Sequence, residues 1–391
     1  MSRELSESTP FADGTVQLSA SPIFSSPNKM KLGVFSTNLA GTSSGISKLG
    51  GSITIANWDE QKQLAVMADR AGIEALVSAS RWKGFDSESG FWDRSYETWT
   101  WAGAMAAITE RIQVFTTCAV PLYHPVMVAK MGATLDHISG GRWGVNIVPG
   151  WFGAEFEQFG MEMGDRAARY RMSQEWFTLV NRLWTETEEI DFEGEFFTAK
   201  GAVSNPKPVQ SPRPLVMNAG QSAEGLSFAL NNADMIFVNT VNEKVLATNI
   251  ATIRSEAEKL GKPVSIWSNL DIIVKRTEQE ARDFAEAWME AVDTQAVDKF
   301  VGLMAGGDAG THKALMANPD IWKSIALAGG NKLVVGTPEM VVETFQELSD
   351  VGMDGTTMTF HEYPEGLELL ISDVLPLMAE AGLRADKPLD S

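Results

Sequence analysis

The chain of 391 residues has a single cysteine, four histidines, no surplus of basic residues and no long apolar run, and each shortage removes a class of function. One cysteine excludes an internal disulfide and a Cys-Cys zinc pair. Cys118 lies in the apolar run VFTTCAV and reads as a small core residue rather than a nucleophile. His124, His137, His312 and His361 are scattered without H-E-x-x-H or other ligand spacing, so no metal is expected. A net charge of -19, from 32 Lys and Arg against 51 Asp and Glu, excludes nucleic acid as a partner, because phosphate binding needs cations that release counterions. The N-terminus MSRELSESTPFADG has no apolar signal region and no segment approaches membrane-spanning length, so a cytoplasmic protein without membrane contact is expected. No nucleophile-base pattern of a hydrolase is present. No G-x-G-x-x-G opens a helix after the first strand, which sets a doubly wound sheet behind a closed barrel.

What is present is alternation. Strand-like runs at 32–36, 75–80, 112–119, 142–148, 215–219, 235–239, 265–274 and 356–360 are separated by helical runs near 57–71, 95–109, 124–138, 165–184, 222–232, 243–260, 278–295 and 365–381. Eight of each predict a (β/α)8 TIM barrel. Hydrophobic residues at 44% can fill one large core, and no shift of composition divides the chain. A single domain over 30–391 is expected, with insertions at about 185–213 and 296–335, the latter read as mobile. The glycine- and serine-rich loop 37–56 leaves the first strand at the catalytic rim. Residues 1–29, rich in Ser and Pro, read as a flexible or surface-draped arm.

The densest information lies in ATLDHISGGRWGVNIVPGW, residues 133–151. A helix ends at Ser139-Gly140-Gly141, where glycine supplies a left-handed cap, and Arg142 to Val148 form a short buried strand broken by Pro149-Gly150. Barrel enzymes keep their chemistry beyond the carboxyl ends of the strands. Asn146 and the loop Gly150 to Glu157 are therefore candidates, together with Ser80-Arg81, Thr116-Thr117 and Gly220-Gln221-Ser222 at other strand ends. Such a ring suits a planar, hydrogen-bonding ligand, and Ser222 at a helix start suits a phosphate. Arg169-Tyr170 adds a cation and a hydroxyl, or belongs to a charged helix face. His361 follows the last strand as a substrate contact, a proton donor or a plain loop histidine. Of the aromatics crowding the rim, Trp99 and Trp101 read as helix packing, and Trp151 and Phe152 as a lid that excludes water.

The series ATLDHISGGRWGVNIVPGW, Glu155, Arg169-Tyr170, FEGEFF at 192–197 and Pro206-Lys207-Pro208 resembles the bacterial luciferase-like flavin monooxygenases over most of residues 30–382. Within them MKLGVF, GFDSESGFWDRSYETWT, AAITERIQVFTT and NAGQS resemble the pyrimidine monooxygenase branch, with dibenzothiophene-sulfone and dimethyl-sulfone monooxygenases as cousins. The resemblance implies an oxidoreductase that takes FMN as FMNH2 from a separate NAD(P)H-dependent flavin reductase, reacts it with O2 and cleaves a carbon-heteroatom bond in a small substrate. It implies FMN contacts at Ser80, Arg81, Asn146, Glu155, Arg169, Tyr170 and Ser222. It also implies an oxygen pocket of Val77, Thr117 and Asn146 directing O2 to a flavin N5-oxide or peroxide, and a homodimer or homotetramer. Where that branch has an aliphatic residue and Lys, this chain has Ser80-Arg81. His124-Pro125 replaces twin prolines, and His361-Glu362 replaces an Asp pair. The substrate stays open among pyrimidines, sulfones or sulfonates, amides and halogenated rings. Two other readings use the same barrel: hydride transfer with a deazaflavin, and flavin binding without turnover.

Overall fold

The computed structural model describes residues 16–40, 45–49, 57–240, 243–306 and 308–385. Eight parallel strands close a ring: β1 (Lys31–Phe35), β2 (Ala75–Val77), β3 (Gln113–Ala119), β4 (Trp143–Val148), β5 (Leu215–Asn218), β6 (Met235–Phe237), β7 (Ser265–Val274) and β8 (Gly355–Phe360). Each pairs with its sequence neighbours, and β8 returns to β1. Helices on the outside bury the second face of the strands, which is why strands such as β3 are apolar nearly throughout. The expected barrel is the observed fold.

Local sequence explains the element that leads into β4. Helix Pro125–Ser139 starts with Pro125 in its first turn and His124 Nδ1 accepting from Val126 N, and stops at Gly140, whose φ of 64° is left-handed. Gly141 N then closes on Asp136 O at 2.9 Å, aiming the chain into β4. Inside the barrel, Val77, Phe115, Met217, Met235 and Trp267 form the lower packing layer. A Cβ at Gly355 would lie 2.7 Å from the Trp267 ring, so the indole fits only because that position lacks a side chain.

Three expectations need correction. Of the supposed arm, the described residues 16–29 are docked: Val16–Gln17 pairs with Gln210–Ser211, and Ile23, 1% exposed, plugs the layer of Trp267 and Phe115. Apolar burial at the barrel floor outweighs the lack of regular periodicity there, while residues 1–15 lie outside the described residues. The insertion near 296–335 is neither loop-like nor confined to those bounds. It begins with helix Glu278–Glu290 and continues through Thr294–Met304, Ala309–Ala317 and Pro319–Ala328, with Val297, Phe300, Val301 and Ile325 buried. The barrel's own seventh helix is Pro338–Asp350, whose Val341 and Phe345 join the main core, whereas no residue of Glu278–Glu290 does. An unexpected strand, Lys332–Gly336, pairs with Leu270–Val274, the outer half of β7, and carries the chain back from the insertion.

The insertion covers the mouth. Ile46 N donates to Ala326 O and Lys48 N to Ala291 O, both at 2.8 Å, so part of the loop after β1 is clamped to it. Residues 41–44 and 50–56 of that loop lie outside the described residues. The hairpin of Ile190–Glu193 and Thr198–Ala202 is present where FEGEFF announced it.

Candidate active site

Adjacent strands bring Thr117 and Asn146 side by side, since the two are register partners between β3 and β4. Asn146 Nδ2 donates to Thr117 Oγ1 at 3.1 Å, and Thr117 Oγ1 donates to Ser78 O at 2.5 Å. Ser78 Oγ in turn accepts from Thr117 N at 3.1 Å, so Ser78, which sequence reasoning passed over, fixes the hydroxyl. Both side chains are 7% exposed, and Asn146 Oδ1 is buried without a partner. Val77 lies one residue pair deeper, packed with Phe115. The pair thus offers a fixed polar edge above an apolar wall.

At the end of β2, Arg81 lies with its guanidinium carbon 3.9 Å from the Trp92 ring centroid and 4.9 Å from that of Trp151. Its Nη1 donates to Ser80 O at 2.8 Å and stands 3.7 Å from Glu155 Oε1. Glu155 Oε1 also accepts from Trp82 N at 2.7 Å, which locks the loops after β2 and β4 together. Burial pulls the Arg81 pKa down, and Glu155 pulls it partly back. Arg81 Nε and Ser80 Oγ are buried without partners. Phe85, Phe91, Trp92, Phe152 and Phe300 pack as one cluster over this pair, so Phe152 and Trp151 do belong to an aromatic cover.

A third group lines a cleft of about 630 Å3 between the loop after β4, the start of helix Arg166–Thr185 and the loop after β5. Ser222 caps helix Ala223–Asn232 by accepting from Gly225 N at 3.1 Å. The Tyr170 hydroxyl bonds to Ser222, and burial raises its pKa. A Cβ at Gly220 or Gly225 would lie 2.5 Å from that hydroxyl, so both glycines are needed for Tyr170 to reach the helix start. Arg169 Nη1 donates to Gly164 O at 2.6 Å, and its buried Nε has no partner. Arg166 lines the same cleft; its spacing of three from Arg169 on one helix was the available signal. Asn218 was also missed: its Nδ2 donates to Ile147 O and its Oδ1 accepts from Gly220 N, shaping the turn beneath the cleft.

The structure thus gathers Thr117 with Asn146, Ser80 and Arg81 with Glu155, and Arg169 with Tyr170 and Ser222, on the side of the mouth formed by β2 to β5. His361 is not with them. It follows β8, 2% exposed, with its ring 4.7 Å from that of Trp288 and 6.3 Å from that of Phe284 on the insertion helix. Burial pushes its pKa down to about 4, so the imidazole is neutral near pH 7. Among the described residues no group of His, Cys, Asp and Glu side chains could hold a metal ion, and no helix is long and apolar enough to cross a membrane.

Residues 30–355 match the model of the luciferase-like monooxygenases. The chain belongs to this family. Pyrimidine monooxygenase RutA of Rhizobium rhizogenes is 30% identical over 330 residues, covering 82% of this chain and 89% of that protein. RutA of Cronobacter sakazakii is 31% identical, with 81% and 94% covered. Among solved structures, riboflavin lyase RcaE, with modified FMN and riboflavin, superposes with a TM-score of 0.82 at 23% identity, covering 92% of this chain and 94% of that one. DmoA from Hyphomicrobium sulfonivorans gives 0.80 at 19% identity, with 92% and 90% covered. This luciferase-like monooxygenase is therefore an enzyme of the RutA-like kind, on a barrel shared with structurally similar but more distant proteins.

Proposed function

We propose that this monooxygenase is the oxygenase half of a two-component system: FMN arrives reduced from a separate NAD(P)H-dependent reductase, and O2 is used to break a carbon-heteroatom bond in a small organic substrate. The observation that carries the reading is the buried Asn146–Thr117 pair, with one amide oxygen unspent above an apolar wall. The residues suit FMN. Orphaned buried atoms of Ser80, Arg81, Asn146 and Arg169 lie along one side of the mouth, and the cleft at its end combines two arginines, a tyrosine hydroxyl and a helix N-terminus, the donor set of a phosphate site.

In this reading Ser222, Tyr170, Arg166 and Arg169 hold the phosphate, and Asn146, Ser80 and Arg81 align the ring. Bound reduced flavin supplies the electrons that activate O2. Thr117 and Asn146 present a hydroxyl and an amide to the oxygen niche. The hydroxyl is held by Ser78, so these groups need little rearrangement during reaction. The aromatic cover over Arg81 excludes water, which would otherwise drain the reduced cofactor unproductively.

Incubation with FMN, NADH and a generic flavin reductase under 18O2, across uracil, sulfones, sulfonates and chlorinated phenols, tests the reading. A labelled product from one of them is expected. Equal product without air would replace it with hydride transfer, and tight FMN binding with no turnover on any substrate would leave a binding protein.

A further inference from the structure

On the other side of the mouth, three buried polar groups have nothing to bond to. Both ring nitrogens of His361, the indole Nε1 of Trp288 and Oγ1 of Thr37 lack hydrogen-bond partners. They come from separate elements: His361 follows β8, Trp288 ends the first insertion helix, and Thr37 follows β1. Thr37 and His361 each lie three residues past the paired Val34 and Met358, at neighbouring strand ends. Native interiors seldom leave such groups unspent, and those that remain mark where a ligand or water completes them.

We propose that His361, Trp288 and Thr37 form the substrate subsite, and that it takes an uncharged group presenting donor and acceptor together, such as a lactam or amide edge, and refuses anions. The inference rests on the flavin reading, which assigns the opposite side to the cofactor. A neutral imidazole offers one donor and one acceptor, the indole offers one donor, and the hydroxyl can serve as either.

The charges argue the same way. Trp267, Asn269 and Asp271 alternate along β7 opposite Gly355, Thr357 and Thr359, and Trp267 faces the barrel interior, so the fully buried Asp271 carboxylate also faces inward below His361. Asn331 Nδ2 donates to it at 3.0 Å. The cation on this side, Lys275, is engaged by Glu365 at 2.5 Å and Glu362 at 3.6 Å. Arg81 is committed to its two indoles and Glu155. An anionic substrate would meet a buried carboxylate here and no free cation.

Calorimetric titration of the full chain, with and without oxidised FMN, tests this with uracil and 2-pyridone as neutral rings and with orotate and an alkanesulfonate as anions. A neutral ring is expected to bind, and His361→Leu to weaken it at least about tenfold, with a smaller loss for Trp288→Phe, which keeps the ring stack and removes the N–H. His361→Gln should recover most of the affinity, since a carboxamide also supplies one donor and one acceptor, and FMN affinity should stay unchanged in all three variants. Anions binding as tightly as neutral rings, no neutral ring binding, or indifference to His361→Leu would overturn the subsite. Failure of wild-type protein to bind FMN, with ring binding intact, would instead strike the flavin reading alone.

Discussion

At the amino ends of the strands the buried acids are fully engaged, whereas at the carboxyl ends the buried polar groups are left open. Asp234 holds Arg213 through two contacts of 2.6 and 3.0 Å and accepts from Val216 N at the start of β5. Asp354 pairs with Arg254 and accepts from Ile266 N in β7; Glu74 accepts from Leu32 N in β1 and pairs with Arg384. Asp69 accepts from Ile112 N just before β3. Each acid pins a strand where it enters the barrel. At the mouth, Ser80, Arg81, Asn146, Thr37 and His361 retain unpaired atoms. Floor groups are thus spent on stability, while mouth groups cost stability and are kept for ligands.

The comparison breaks most readily at the floor. Asp234→Ala leaves the Arg213 guanidinium, 13% exposed, without its counter-charge, and should cost about 3–5 kcal/mol in chemical denaturation. Asn146→Ala should do the reverse. Its unfolding midpoint stays near that of the parent, while coupled oxygenation falls about 100-fold or more, as when a positioned polar group is removed from a reaction centre. A denaturation midpoint for Asn146→Ala as low as that of Asp234→Ala would erase the distinction between the two ends.

Much of the barrel could be read before any coordinates, because strands buried on both faces are short apolar runs between turn signals, as at Gln113–Ala119. The seventh helix was misassigned for a physical reason. Glu278–Glu290 follows β7 directly and is as amphipathic as a barrel helix, and periodicity reports that a face is buried without saying against what. Lys332–Gly336 is too short and too close to Gly329-Gly330 to stand out. Polar residues on the β2–β5 side were legible because they lie at strand ends. Trp288 and Thr37 were not, since a tryptophan on an amphipathic helix signals packing, and its free N–H exists only once the helix has crossed the mouth.

A subtler separation of floor from mouth comes from pH. His361 has its folded pKa lowered from 6.5 to about 4 by burial, so the unfolded chain binds its proton first. Its contribution to stability is complete above pH 6.5 and is lost as pH falls toward 4. His361→Leu should remove a pH dependence on the order of 2 kcal/mol across that window, measured as the difference in urea denaturation between pH 7 and pH 4.5. An unaltered slope in the variant would mean that the imidazole is already charged or solvated in the fold.

The smallest effect expected is at the far end of the cofactor cleft, where a mouth residue also serves the fold. Ser222 both caps helix Ala223–Asn232 and bonds to Tyr170. Aspartate is as good a cap, so Ser222→Asp keeps the helix start and alters only the charge that a phosphate would meet. Exposed charges a few ångströms apart near a surface repel by about 1 kcal/mol or somewhat more, so the FMN dissociation constant should rise about tenfold with the unfolding midpoint unchanged. That loss should shrink in high salt, and riboflavin, which lacks the phosphate, should bind parent and variant alike. Equal weakening of FMN and riboflavin would show that the substitution distorts the cleft, and an unchanged FMN constant would move the phosphate away from Ser222.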